Sequence, residues 1–282
     1  MNVRIIADST ADVSKETREK ITVIPLNLYF GDEEYQDGIS LTYQEFYEKL
    51  VEYDDLPHTS QANPATFTSF FEDVKEKDET AVLITLASTL SGTYQSAVIA
   101  AEDYEDRIYV VDSKNATIGS GILVELAVRL AEAGMSAKEI AEKLEEERNR
   151  VCLMGIVDTL EYLKRGGRIS KAAAMAGDML GIKPVLRIQN GEIVVLGKAR
   201  GSKKSNNLLV TEIEKAGGVD FDKPVMLAYS GLSDILLQKY VEDSRSLWEG
   251  HTDELKQACI GSVIGTHLGP GAVAVAFFSK NS

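Results

Sequence analysis

Residues 81–97, AVLITLASTLSGTYQSA, hold the plan of the first half of the chain in miniature. The run 81–86 is apolar almost without a break, which suits a strand covered on both faces in a parallel sheet. It empties into Ser88-Thr89-Leu90-Ser91-Gly92, a hydroxyl-rich turn, and a helix is expected from about residue 93. Strand, loop and helix in that order form the repeating unit of α/β sheets. Three more β-rich runs share this character: 3–7 (VRIIA) ending at Asp8-Ser9-Thr10, 22–30 (TVIPLNLYF) and 107–112 (RIYVVD).

Helical spacing fills the intervals. Residues 43–53 bring Phe46, Tyr47, Leu50 and Val51 to one face, and 65–77 do the same for Phe67, Phe70, Phe71 and Val74. In 119–133 the apolar positions are Ile122, Leu123, Leu126, Ala127 and Leu130. A charged helix follows at 136–149, opened by Ser136 and Glu139 as a capping box. The alternation predicts a parallel-sheet α/β domain over residues 1–150.

The second half is organised differently. Residues 151–160 resemble a strand running into a helix start. Residues 164–186 follow as a basic, glycine-punctuated turn, a small-residue helix and a new strand. Asn190-Gly191 between two β-rich runs signals a hairpin. Helix 202–216, strand 224–230 and helix 233–248 come next, and Gly269-Pro270-Gly271 introduces a last strand. Hairpins mixed with helices predict a mixed-sheet α+β domain over 151–282. A chain of 282 residues accommodates two domains of roughly 150 residues each.

Charge and composition remove whole classes of function. Thirty Lys and Arg against 44 Asp and Glu leave a net charge of −14, which repels a phosphate backbone and argues against nucleic acid as a partner. No apolar run reaches the ~18 residues of a membrane span, so stable membrane insertion is not expected. The start MNVRIIADSTAD turns polar too early for a signal-peptide core, so a cytoplasmic setting is expected. Cys152 and Cys259 lie far apart in apolar surroundings and form no CxxC pair, as expected of structural thiols in a reducing compartment. Three histidines without an HExxH give no transition-metal pattern. GxGxxG, Walker A and GxSxG motifs are all missing, so no cofactor is expected.

Four clusters remain that could do chemistry. Asp8-Ser9-Thr10-Ala11-Asp12 sits at the carboxyl end of the first strand, where open parallel sheets place ligands; its ordinary role would be to cap the next helix. Thr59-Ser60-Gln61 precedes Asn63-Pro64 and an aromatic helix. The turn 88–93 joins hydroxyls to helix-start amides beside Gly92. That set suits a small, singly charged anion such as a carboxylate, unless the hydroxyls merely cap the helix. Basic residues gather at Lys164, Arg165, Arg168 and Lys171, and again at Lys198, Arg200, Lys203 and Lys204. They form either solvated loops or a docking surface for an acidic or phosphorylated partner. His267, in a glycine-rich turn, could donate to an anion.

Together these pieces resemble the DegV family of bacterial fatty-acid-binding proteins from end to end. The matching segments are IIADSTADV (5–13), HTSQ (58–61), TLASTLSGTYQSA (85–97), VVDSKNATIGSG (110–121), TLEYLKRGGRIS (159–170), GIKPVL (181–186) and THLGPGAVAVAF (266–277). The resemblance implies an α/β domain joined to an α+β domain that closes an acyl tunnel. It implies a long-chain fatty acid, such as palmitate, with its carboxylate met by Thr59 and Ser91 beside the Gly92 amide. Ser60 and His267 are implied neighbours of the head group, and Arg168 and Arg165 implied contacts to a phosphoryl group or partner. It further implies presentation of the acid to a separate ATP-dependent fatty-acid kinase, the chain itself being a carrier and not an enzyme. Where the family often reads TSQP, Ala62 and Asn63 intervene here, which shifts the expected helix start.

Two functions from different classes follow. A carrier needs hydroxyl and amide donors for a carboxylate and an apolar lining, for which Phe67, Phe70 and Phe71 are candidates. The alternative is a serine hydrolase of acyl esters using Ser91 and His267, for which no third group is visible.

Overall fold

A computed structural model describes residues 2–53, 55–169 and 181–280. β1 (Val3–Asp8) is followed by α1 (Lys15–Lys20), and β2 (Thr22–Ile24) lies parallel to β1. β3 (Asn27–Phe30), β4 (Glu33–Gln36) and β5 (His58–Ser60) form a small antiparallel sheet in the order β4-β3-β5, with α2 (Tyr43–Glu52) between its last two strands in sequence. Next come α3 (Pro64–Glu76), β6 (Thr80–Thr85), α4 (Thr93–Ala101), β7 (Ile108–Asp112), α5 (Thr117–Glu132) and α6 (Ala137–Glu147). β2-β1-β6-β7 make a four-stranded, fully parallel sheet.

The remaining strands build a second, mixed sheet. They are β8 (Val151–Ile156), β9 (Ile182–Gln189), β10 (Glu192–Arg200), β11 (Met226–Tyr229), β12 (Lys256–Cys259) and β13 (Val273–Phe278). Their order is β10-β9-β8-β13-β11-β12, antiparallel throughout except for the parallel β11–β12 pair. Among the described residues, the α-helices of this half are α7 (Glu161–Arg165), α8 (Ser202–Lys215), α9 (Ile235–Asp243) and α10 (Ser262–Leu268). The fold is therefore a parallel-sheet α/β part joined to a mixed-sheet α+β part.

Local chemistry explains most boundaries. Ser136 and Glu139 form the expected capping box, and Asn190 (φ 53°) with Gly191 (φ 80°) makes the left-handed hairpin tip joining β9 to β10. Several expectations are corrected. The run 22–30 is two strands in two sheets, because Pro25 offers no amide to a ladder and the chain changes sheet there. The cap of α1 is Ser14, whose hydroxyl accepts from the Thr17 amide, and not the Asp8–Asp12 segment. Val51 lies on the solvent side of α2, 59% exposed. The helix expected over 233–248 stops at Asp243, where the Ser244 hydroxyl donates to the Tyr240 carbonyl and accepts from the indole of fully buried Trp248. The small-residue helix expected after Arg168 lies outside the described residues. Asn63 caps α3 through the Thr66 amide, with Pro64 in its first turn.

α5 is the centre of the molecule. Every residue from Thr117 to Val128 is buried. One continuous apolar cluster joins Ile5, Val82 and Ile84 of the parallel sheet, through Ile118, Ile122 and Leu123, to Leu153, Met226 and Ala276 of the mixed sheet. The periodicity had suggested a single apolar face; the helix has two because it lies between two sheets. Gly121 permits this, since a Cβ there would stand 1.9 Å from the Asp12 carbonyl oxygen. Gly121→Val should cost about 1–3 kcal/mol by overpacking, read as a lower urea midpoint at unchanged slope.

Candidate functional site

Between the two sheets lies a cavity of about 380 Å³. Its walls are mostly aliphatic: Leu26 and Leu86 from the parallel half, Leu153, Ile156, Leu186, Ile188 and Ile193 from β8–β10, and Val263, Ile264 and Leu268 from α10. Its polar residues include Thr59, Ser60, Gln61, Ser91, Gly92, Arg168 and His267. The structure thus brings five expected ligand-binding residues, Thr59, Ser60, Ser91, Gly92 and His267, to one cavity, together with Arg168. Arg165 is exposed in the last turn of α7 and is not part of the lining. Phe67 and Phe71 do not line it either. They pack with Ile6, Leu83 and Tyr104 on the outer face of the parallel sheet, and half-buried Phe70 lies against the same cluster. Helical periodicity marked these rings as buried but not which side of the sheet they cover.

The hydroxyl pole is built from three loops. Thr59 stands on β5 opposite Leu28, and its Oγ1 lies 3.0 Å from His267 Nε2. Ser91 Oγ pairs with Thr93 Oγ1 at 2.9 Å and accepts the Thr93 amide at 3.3 Å, while no side chain caps α4 at Gly92. Gln61 folds against Gly92 and donates to Ser96 Oγ at 2.9 Å. A Cβ at Gly92 would fall 2.1 Å from Gln61 Oε1, so glycine is needed for this close approach. Arg168 Nη1 donates to the Gly166 carbonyl at 2.6 Å and Nε to the Leu90 carbonyl at 3.3 Å, which ties the guanidinium to the Ser91 loop.

His267 is neutral at physiological pH. Burial, with Arg168 nearby, pushes its imidazolium down to about 4. Its Nδ1 is buried and has no hydrogen-bond partner among the described residues, and Gly166 leaves room for it, since a Cβ there would lie 2.2 Å away. Ser91 and His267 are bonded to Thr93 and Thr59, and among the described residues no carboxylate bonds Nδ1.

Three buried aspartates hold the scaffold. The Asp8 carboxylate accepts the Leu86 amide at 2.7 Å and the Thr10 amide at 2.9 Å, fixing the start of the Ser91 loop. Asp12 accepts the Thr117 hydroxyl and, at 3.0 Å, the Gly261 amide. Asp37 accepts the Ser262 amide at 3.0 Å. Asp12 and Asp37 thereby seat α10, which carries His267. These three roles were not legible beforehand, because two of the partners lie more than two hundred residues away along the chain.

The family comparison agrees with this geometry. The family model described as "Uncharacterised protein, DegV family" matches residues 2–280. The chain belongs to the DegV family. A DegV domain-containing protein of Caldanaerobacter subterraneus is 35% identical over 288 residues, covering 99% of each chain. A DegV structure from Thermus thermophilus, described by its fatty acid binding, matches with TM-score 0.88 and 30% identity over 99% of this chain and 100% of that one. A stearic acid-binding protein from Eubacterium ventriosum matches with TM-score 0.87 and 30% identity over 99% and 98%. Among the described residues, no helix of this DegV protein is long and apolar enough to cross a membrane, and no group of three or more His, Cys, Asp or Glu is placed to hold a metal.

Two titrations test the site's electrostatics. Because the His267 imidazole is held neutral, its ring NMR shifts should stay constant from pH 8 down to about pH 5. Burial raises Asp12 to about 8 and Asp37 to about 6. An acid raised above its unfolded value contributes its stability in full below about pH 4 and loses it as pH rises through the folded value. Their contribution should therefore decline between about pH 4 and pH 8, and Asp12→Asn should flatten the upper part of that decline in urea titrations.

Proposed function

We propose that this DegV protein binds a long-chain fatty acid such as palmitate in the cytoplasm and presents its carboxylate to an ATP-dependent fatty-acid kinase. The observation that carries this is an aliphatic cavity with hydroxyls, an imidazole and two guanidiniums, Arg168 and Arg187, among its lining. Thr59, Ser60, Ser91, Gly92, Arg168 and His267 are all half-buried, as are Ile188, Ile193 and Leu268 of the wall, whereas Leu86, Leu153, Ile156, Leu186 and Val263 are buried. In this reading the carboxylate sits with the polar groups and the tail runs along the buried aliphatic wall. Burying acyl surface at about 25 cal/mol per Å² supplies most of the affinity, and the polar groups fix the direction of the chain. With the His267 proton on Nε2, that N–H donates to Thr59 Oγ1 and leaves the Thr59 hydroxyl free to donate to the carboxylate. Ser91 and the Gly92 amide supply further donors, and Arg168 gives the charge complement. A carboxylate near Arg168 is reachable by a second protein, for which exposed Lys164 and Arg165 in the last turn of α7 offer basic contacts. The two free cysteines suit a reducing compartment.

Solvent extraction of the purified protein with mass spectrometry should return a long-chain fatty acid; extraction that returns none, with no uptake of added palmitate, would overturn the proposal. Ser91→Ala and Thr59→Ala should each weaken palmitate binding by about 1–3 kcal/mol in calorimetric titrations. Arg168→Glu, which sets a carboxylate beside the ligand's own, should weaken it too. Arg165→Glu should leave the affinity unchanged and lower the rate of acyl phosphate formation in a reconstituted kinase assay.

A further inference from the structure

The loop that carries Ser91 is held from both halves of the molecule. On its own side Asp8 takes the Leu86 amide, and Asp112 accepts the Ser88 hydroxyl at 2.6 Å. On the other side Thr89 Oγ1 donates to the Gly191 carbonyl at 2.6 Å, at the tip of the β9–β10 hairpin. The contact is close by design of the residue: Gly191 is buried with φ 80°, and a Cβ there would stand 2.4 Å from Thr89 Oγ1. The same hairpin is a wall of the cavity. Ile188 and Ile193 pair directly across its two strands, next to the tip, and both line the cavity. The strands that would touch the acyl tail thus also hold, through one hydrogen bond, the loop that would meet the carboxylate.

We propose that Thr89 is a positioning residue that couples the Ile188–Ile193 wall to the placement of Ser91, so that tail and carboxylate are held or released together. This rests on the fatty-acid proposal above. A chain packed against the wall keeps the hairpin tip in place, and the tip keeps the Ser91 loop in place. Shortening the wall or cutting the Thr89 bond breaks the same connection, so the two changes should not act independently.

The test is stopped-flow release of a fluorescent long-chain fatty acid from the full chain, comparing wild type, Thr89→Val, Thr89→Ser, Ile193→Ala and the Val/Ala double variant. Thr89 is exposed, so its replacement leaves the core untouched. Thr89→Val should release the ligand about three- to ten-fold faster, as expected for one lost hydrogen bond, and Thr89→Ser should stay close to wild type. In the Ile193→Ala background Thr89→Val should add little. Release from Thr89→Val at the wild-type rate, or effects of the two changes that simply multiply, would overturn the coupling while leaving fatty-acid binding intact. A wild-type protein that takes up no probe would instead overturn the binding proposal itself.

Discussion

Helix α5 shows no residue from Thr117 to Val128 to solvent, and both sheets pack on it. Their relative position is therefore set by one shared apolar layer and not by a linker. Sliding one sheet over the other would open voids along a helix packed on two sides, and protein interiors tolerate such voids poorly. The cavity follows from this constraint. It lies where the layer ends, at Ala116 and Thr117 at the start of α5, with β8, β9 and β10 among its walls. Thr117 there has φ 45°, unfavourable for a β-branched residue, and its hydroxyl is held on Asp12. The strain is borne by a turn that the buried carboxylate over-determines.

Asp8, Asp12 and Asp37 show what such packing demands of polar groups. Loops that meet inside a two-layer protein leave amides without ladder partners, and an unmatched buried amide is costly. Each aspartate answers amides that no strand can reach: Leu86 and Thr10 for Asp8, Gly261 for Asp12, Ser262 for Asp37. Burial raises all three acids, so the ties carry a penalty that hydrogen bonds offset only in part. Their return is positional. The Ser91 loop and α10 come from opposite halves of the chain, and both are anchored to turns beside the parallel sheet.

What was readable in the sequence divides along the same physical line. Local signals held where the chain interacts with its neighbours: the Ser136–Glu139 box, the Asn190-Gly191 tip, the strand–loop–helix order around residues 81–97. The hydroxyl clusters stood out by composition, although capping would collect the same residues at a helix start. Contacts made at long range left no local mark. Gly166 read as punctuation and Gly92 as a backbone donor to the ligand, yet each is also small because one distant side chain, His267 or Gln61, needs its space. The three phenylalanines erred for a related reason: a buried stripe says that a helix packs, not which of two apolar compartments it faces.

The polar residues of the cavity also constrain the kind of ligand it can take. His267 is neutral, and Thr59, Ser60, Ser91 and Gly92 carry no charge, while two guanidiniums line the cavity: Arg168 beside the hydroxyls, and Arg187, whose Nη2 donates to Cys152 Sγ at 3.6 Å. Neutral donors beside a guanidinium suit a carboxylate. Neutrality of His267 has a second consequence. A charged imidazole at this point would repel Arg168, loosening the guanidinium from the Leu90 carbonyl. Keeping the second proton off lets Arg168 hold the Ser91 loop. Within the fatty-acid proposal, the acyl chain decides how tightly the ligand binds, and this nearly neutral pole decides which end faces out.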